Sequence, residues 1–217
     1  MAANSRPRKK EDIIRAAFHA ISEKGYSTVT LQDIADKAGT SKGILSYYFE
    51  TKEDLFLHLL QWLTDRIHAR EAKAVLGESD AIAMIHAYIY AAFAGPIENR
   101  VFYRVYLDFL AQGSRDARFR EVNQNFYHSC WDLGKSIIQA GVEQGLFEVV
   151  VVDDASRAIR SMIDGCLIQW VMSDDDALHE YYRTLCEQYI LNFLMAPIQS
   201  QHSHSSSIAA SSREQIE

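Results

Sequence analysis

Thr30-Leu-Gln-Asp-Ile-Ala-Asp-Lys-Ala-Gly-Thr-Ser-Lys-Gly-Ile-Leu-Ser-Tyr-Tyr-Phe49 reads as two short helices that meet at Gly39, and Glu50-Thr-Lys-Glu-Asp-Leu-Phe56 opens a third. Thr30 and Asp33 have the spacing of an N-terminal capping box, with Asp where Glu or Gln is usual. Leu31, Ile34, Ala35 and Ala38 follow at helical spacing and give one apolar face. Gly39 reaches positive φ cheaply, so the helix stops and the chain turns. Thr40 and Ser41 can cap the second helix, in which Leu45 and Phe49 lie four apart and point inward. Lys42, Gly43, Ser46 and Tyr47 are left facing out. Two helices joined by a short turn containing Gly form a helix-turn-helix, whose second helix can enter a DNA major groove.

The outward face has suitable chemistry. Lys42 brings charge for phosphates, Gly43 allows close backbone approach, and Tyr47 and Tyr48 carry hydroxyls on stiff stems. Thr51 and Asp54 repeat the capping spacing and set Lys52 at the positive end of the next helix. The expected DNA-contacting set is Thr30, Ser41, Lys42, Gly43, Ile44, Ser46, Tyr47, Tyr48 and Lys52.

Net charge is −7 over 217 residues, but it is unevenly spread. Residues 1–52 hold nine Lys and Arg against six Asp and Glu, whereas the remainder holds thirteen against twenty-three. The basic end therefore coincides with the helix-turn-helix, and the acidic body would be repelled by DNA. Three cysteines with no close pair argue against a disulfide framework and for a reducing cytosol. The order of charged, apolar and small residues that makes a signal peptide is not recognisable, and Ala81 to Ile97 falls short of a membrane span. A cytoplasmic location without membrane association is expected.

These motifs carry a resemblance. Ile13-Ile-Arg-Ala-Ala-Phe18, Glu23-Lys-Gly-Tyr26, Thr28-Val-Thr-Leu-Gln-Asp-Ile-Ala35, Gly39-Thr-Ser-Lys-Gly43, Tyr47-Tyr-Phe49 and Lys52-Glu-Asp-Leu-Phe56 resemble the TetR family of bacterial transcriptional regulators over roughly the first quarter of the chain. Ser41-Lys-Gly-Ile-Leu-Ser-Tyr-Tyr-Phe49 is similar to the BetI-like branch. Many members read Tyr-Tyr-His-Phe there; this chain has Ser46 for a first Tyr and Tyr48 for the His.

The fold expected is all-α, with about nine helices: a three-helix DNA-binding domain and a C-terminal helical ligand-binding and dimerisation domain. Residues 1–7 read as a flexible tail, 8–52 as the DNA-binding domain with its helix-turn-helix at about 31–50, and 53–74 as a linking helix. Residues 75–196 read as the effector and dimer domain, and 197–217 as a disordered tail. Within the body, helices are expected from about Asp80, Glu98, Ala117, Asp153 and Asp175, the first capped by Ser79. By the resemblance, the linking helix would carry the signal from body to DNA.

The last two helices have wide apolar faces, suited to pairing with a second copy in a four-helix bundle, as in the family. Ile159, Ile163, Leu167, Leu178, Tyr182, Leu185, Tyr189 and Phe193 are the expected interface; the alternative is that they only close the internal core. The middle helices concentrate aromatic residues. Met84, Tyr88, Phe102, Tyr103, Tyr106, Phe109, Phe126, Tyr127, Trp131, Met162, Cys166 and Trp170 could line an apolar effector pocket, against the plainer reading as core. Asp108, Asp164, His86, His128 and Gln169 could supply its polar contacts, although Asp108 could instead pair with Arg104 and Asp164 with Arg160.

The function expected is a homodimeric repressor that binds a palindromic double-stranded operator and is released by a small, largely apolar or aromatic effector. No cofactor or metal is implied; His202 and His204 on a tail make a weak site. The competing readings are a small all-α enzyme, or a ligand-binding or partner-binding helical protein with a merely structural helix-turn-helix. No phosphate loop, nucleophile elbow or metal-ligand spacing favours the enzyme.

Overall fold

The computed structural model describes residues 5–148 and 151–196, with residues 5–7 by their backbone alone. The tail residues 1–4 and 197–217, and with them His202 and His204, lie outside the described residues. The described residues form nine α-helices: α1 (Ser5–Lys24), α2 (Leu31–Lys37), α3 (Lys42–Tyr48), α4 (Lys52–Val75), α5 (Ala81–Ala92), α6 (Pro96–Gly113), α7 (Ala117–Glu143), α8 (Val152–Met172) and α9 (Leu178–Met195). No strand occurs among them, so the all-α expectation holds.

Four helix starts differ from the reading of the sequence, among them α6, which begins at Pro96 rather than Glu98. Helix α1 begins at Ser5, inside the expected tail. Pro7 costs that first turn no hydrogen bond, because its N–H groups have no intrahelical acceptor. The cap of α5 is Asp80 rather than Ser79: its carboxylate accepts from the Ala83 N–H at 2.9 Å. Helix α9 starts at Leu178.

Helices α1 to α3 close over a small core of Ile13, Ala17, Ile21, Ile34 and Leu45, each at most 2% exposed. Helix α4 continues that core through Leu55, Phe56, Leu59 and Leu60 and then enters the body, where it packs on α5 and α7. Helix α7 lies against α6 and α8, and α9 covers α8 and α5. No single described helix is long and apolar enough to cross a membrane.

A small cluster joins head to body. The Tyr26 N–H donates to Asp108 Oδ2 at 3.2 Å, so Asp108 on α6 grips the turn after α1 rather than pairing with Arg104. The Tyr26 ring packs on Phe56 and Phe109 at centroid distances of 5.0 and 5.9 Å. Burial pushes its hydroxyl pKa up, helped by Glu53, Asp116 and Asp108 nearby.

The C-terminal end of α7 depends on a close approach. A Cβ on Gly141 would lie 2.0 Å from Phe147 Cδ2, and Phe147 is only 4% exposed. Gly141→Ala should therefore destabilise the fold by about 1 to 3 kcal/mol as the ring is displaced. Urea unfolding monitored by circular dichroism measures it; an unchanged midpoint would mean that the Phe147 ring moves aside without cost.

Candidate nucleic-acid interface and effector cavity

Local chemistry builds the outward face of the head. Thr30 Oγ1 accepts from the Asp33 N–H at 3.1 Å while Asp33 Oδ2 accepts from the Thr30 N–H at 2.9 Å, completing the capping box. Asp33 also receives Lys24 Nζ at 2.6 Å, which ties the end of α1 to the start of α2. Lys24, followed by the Thr30 N–H and hydroxyl, holds the Asp33 carboxyl down at about 2. Gly39 takes φ +57° at the turn. Ser41 caps α3 by accepting from the Ile44 N–H at 3.3 Å.

With Leu45 and Phe49 turned inward, 1% and 4% exposed, the opposite face of α3 is set by helix geometry. Lys42, Gly43, Ile44, Ser46 and Tyr47 are exposed together, and Tyr48 is half-buried. Tyr47, 62% exposed, meets the Tyr48 ring edge-on at 5.2 Å. Thr30 and Ser41 sit at the two helix starts with their hydroxyls engaged as caps. Lys52 is placed differently from the rest: its ammonium donates to the Tyr26 carbonyl at 3.3 Å and lies over the Phe56 ring at 5.3 Å. It braces the head–body junction instead of extending from the α3 face.

A cavity of about 1320 Å³ opens between head and body. Its walls come from α1 (Arg15, Phe18, His19), α4 (Trp62, Leu63, Arg66, Ile67, Arg70), α5 (His86, Ala87, Tyr90, Ala91) and α6 (Ile97, Glu98, Phe102, Tyr103). Buried Glu71, Arg160 and Leu167 also line it, with Arg183 and Glu187 of α9. Glu71 is fully buried. Arg160 Nη1 donates to Glu71 Oε1 at 3.1 Å, and Arg160 Nη2 lies 2.7 Å from Asp164 Oδ1. The carboxylates of Asp164 and Glu71 keep the Arg160 guanidinium charged against the cost of its burial. Burial pushes the Glu71 carboxyl up, against the pull of Arg160, and pushes the nearby Cys130 thiol up to about 12. The Tyr88 and Tyr106 hydroxyls are buried beside this pair, with no hydrogen-bond partner among the described residues.

Of the twelve residues expected in the pocket, Phe102 and Tyr103 line this cavity. Tyr88, Tyr106, Phe109, Phe126 and Trp170 are instead core, each at most 4% exposed. Phe109 belongs to the head–body junction, and Trp170 donates its indole N–H to the Asp175 carbonyl at 3.0 Å beneath Arg100. Tyr127 stacks on Trp131, which lies under Arg157, while Met84, Met162 and Cys166 pack against the core. His86 reaches the cavity, Asp164 serves Arg160, and His128 packs edge-on against Trp131. Sequence reading passed over Trp62, Arg66 and Arg70, although their i, i+4, i+8 spacing marks one stripe of α4.

The α8 residues of the expected dimer interface point the other way. Ile159, Ile163 and Leu167 are at most 2% exposed inside the subunit, because α8 turns that stripe onto α7. The outer stripe of α8 is Ser161, Gly165, Ile168 and Met172, partly or fully exposed. On α9, Leu178, Tyr189 and Phe193 are 36%, 60% and 45% exposed, joined by half-buried Tyr182 and Leu185 and by Tyr181.

Residues 13–59 match the family model of bacterial regulatory proteins of the tetR family, and residues 81–194 match that of the BetI-type transcriptional repressor C-terminal domain. The chain is 25% identical over 171 residues to the transcriptional regulator BetI of Burkholderia ambifaria, covering 76% of this chain and 83% of that one. It is 24% identical over 159 residues to the transcriptional repressor KstR2 of Rhodococcus jostii, covering 72% and 75%. The structure is similar to that of a TetR transcription regulator from Haloarcula marismortui, with a TM-score of 0.79, 26% identity and coverage of 87% and 99%. It shares its fold with a protein of Saccharomonospora viridis solved in complex with choline, at a TM-score of 0.79, 21% identity and coverage of 87% and 98%.

The buried ion pair has a consequence for stability. Arg160→Met leaves Glu71 and Asp164 uncompensated in the interior, an effect of about 3 to 5 kcal/mol. The triple change Glu71→Leu, Asp164→Leu and Arg160→Met should recover most of that loss in urea unfolding; a loss under about 1 kcal/mol for the single change would mean that water reaches the pair.

Proposed function

The chain belongs to the TetR family of bacterial regulatory proteins, and from that premise we propose a homodimeric repressor that grips a palindromic operator and lets go when a small, largely apolar or aromatic effector enters the cavity. The observation that carries this reading is the α3 face: Lys42, Gly43, Ser46 and Tyr47 stand exposed on a helix capped by Ser41 and anchored by Leu45 and Phe49. Lys42 and the tyrosine hydroxyls supply phosphate contacts, and Gly43, Ile44, Ser46 and Tyr47 meet base edges in the major groove. Thr30 and Ser41 hold the two helices in register beside the backbone, and Lys52 sets the tilt of α4 against the head.

Residues 8–52 act as the DNA-binding domain, α4 as the link, and 75–196 as the effector and dimer domain. Two copies pair through the exposed stripe of α9, with Leu178, Tyr182, Leu185, Tyr189 and Phe193, against the outer face of α8. That arrangement sets two α3 helices one or more turns of DNA apart, at about 34 to 36 Å per turn. The protein works in the cytoplasm.

The cavity supports effector control because its walls include α1 of the head together with α4, α5 and α6 of the body. The Saccharomonospora viridis protein with choline supports a ligand-holding role for this fold. An effector that disfavours the DNA-spacing conformer by about 3 kcal/mol weakens operator binding more than a hundredfold. The family and the relatives are regulators of transcription rather than enzymes.

Lys42→Ala should weaken operator binding at every sequence and lower the salt slope by about one, whereas Tyr47→Ala should lower affinity and relax sequence preference. Fluorescence anisotropy over a range of salt concentrations measures both. Unchanged affinity in both variants would remove α3 from the interface.

A further inference from the structure

Five of the chain's fourteen arginines line this cavity: Arg15, Arg66, Arg70, Arg160 and Arg183. Four glutamates, Glu71, Glu78, Glu98 and Glu187, share the lining. Lining carboxylates answer three of them: Glu71 holds Arg160, Glu98 holds Arg70, and Glu187 lies 3.6 Å from Arg183. Arg15 takes Glu11, which stands outside the lining, at 2.7 Å. Arg66 has no carboxylate within 4 Å among the described residues. Its guanidinium instead lies 4.8 Å above the Trp62 ring, with Arg15 5.8 Å from the same ring. Arg70, one turn further along α4, has a buried Nε without a partner among the described residues.

We infer that the effector is an anionic amphiphile, whose carboxylate or phosphate is taken by Arg66 and Arg70 of α4 with Arg15 of α1, and whose apolar body lies along Leu63, Ile67, Phe102 and Leu167. The inference rests on the cavity being the effector site proposed above. Guanidinium groups are the side chains best matched to such anions, offering two parallel N–H donors. Trp62 fixes the fork of Arg66 in place, so little side-chain freedom is lost on binding. At about 1320 Å³ the cavity exceeds the roughly 300 to 1,000 Å³ of most small-molecule pockets, so a compact cation would leave most of it empty. An anion between Arg15 and Arg66 also sits where head meets body. It draws α1 toward α4 and changes the angle of the head.

Dodecanoate, dodecyl phosphate, dodecanol and dodecyltrimethylammonium, below their micelle concentrations, test this on the full-length chain. Calorimetry without DNA reads binding, and anisotropy on a selected operator reads release, with each variant compared to its own unliganded affinity. One or both anions should bind and weaken operator affinity at least tenfold, at concentrations where the alcohol and the cation do neither. Action by dodecanoate alone assigns a carboxylate, and by dodecyl phosphate alone a phosphate. Arg66→Gln and Arg70→Gln should each weaken anion binding about tenfold, with a smaller loss for Arg66→Lys; thermal melting verifies that each variant is folded. Equal or stronger binding of the cation or the alcohol, no binding of either anion, or unweakened binding in both Gln variants overturns the inference. Absence of any operator instead defeats the regulator reading, and the calorimetry still decides the anion.

Discussion

A guanidinium sealed inside a helical body must be matched by carboxylates from the elements around it, and Arg160 imposes that constraint here. Its partners come from two places: Asp164 one turn along α8, and Glu71 on α4. Separating an unpaired charge from water costs several kcal/mol, so α4 and α8 cannot slide apart without breaking the pair. The pair therefore fastens the helix that leaves the DNA-binding head to the helix beside the exposed α9 stripe. Phe126, against which Arg160 packs at 4.9 Å, brings α7 into the same knot.

The opposite end of α4 is held by softer contacts. Tyr26 meets Phe56, Phe109, Asp108 and Lys52 through ring contacts and two part-buried hydrogen bonds. Helix α6 carries Phe102 and Tyr103 at the cavity wall and Asp108 and Phe109 at the junction, less than two turns further on. Movement at the wall thus reaches the turn after α1 through one stiff element.

The head was legible in the sequence because its determinants are local: two capping spacings, a glycine at the turn, and apolar pairs four apart. The full set of helices followed from periodicity, with errors of a few residues at the helix starts, as where Asp80 rather than Ser79 caps α5. The cavity was not legible, because aromatic periodicity identifies a buried face and does not say whether another helix fills it. Tyr88, Tyr106 and Phe126 fill core space, while Trp62, Arg66 and Arg70 look on paper like a solvated stripe. Helix α8 shows the same limit. Both sides of it are apolar enough to bury, and only packing on α7 decides that Ile159, Ile163 and Leu167 turn inward. The Arg160–Asp164 spacing could be read in advance, but its depth could not, since Glu71 lies 89 positions away.

Selection of bound sequences from a random duplex pool by the purified protein, at moderate salt and without added ligand, tests the central claim most directly. A palindrome with two half-sites about one or more helical turns apart is the expected result, since two copies of α3 related by a two-fold axis read the same sequence twice. Recovery of no enriched sequence, or of a single half-site without its inverted repeat, would contradict a dimeric operator-binding regulator.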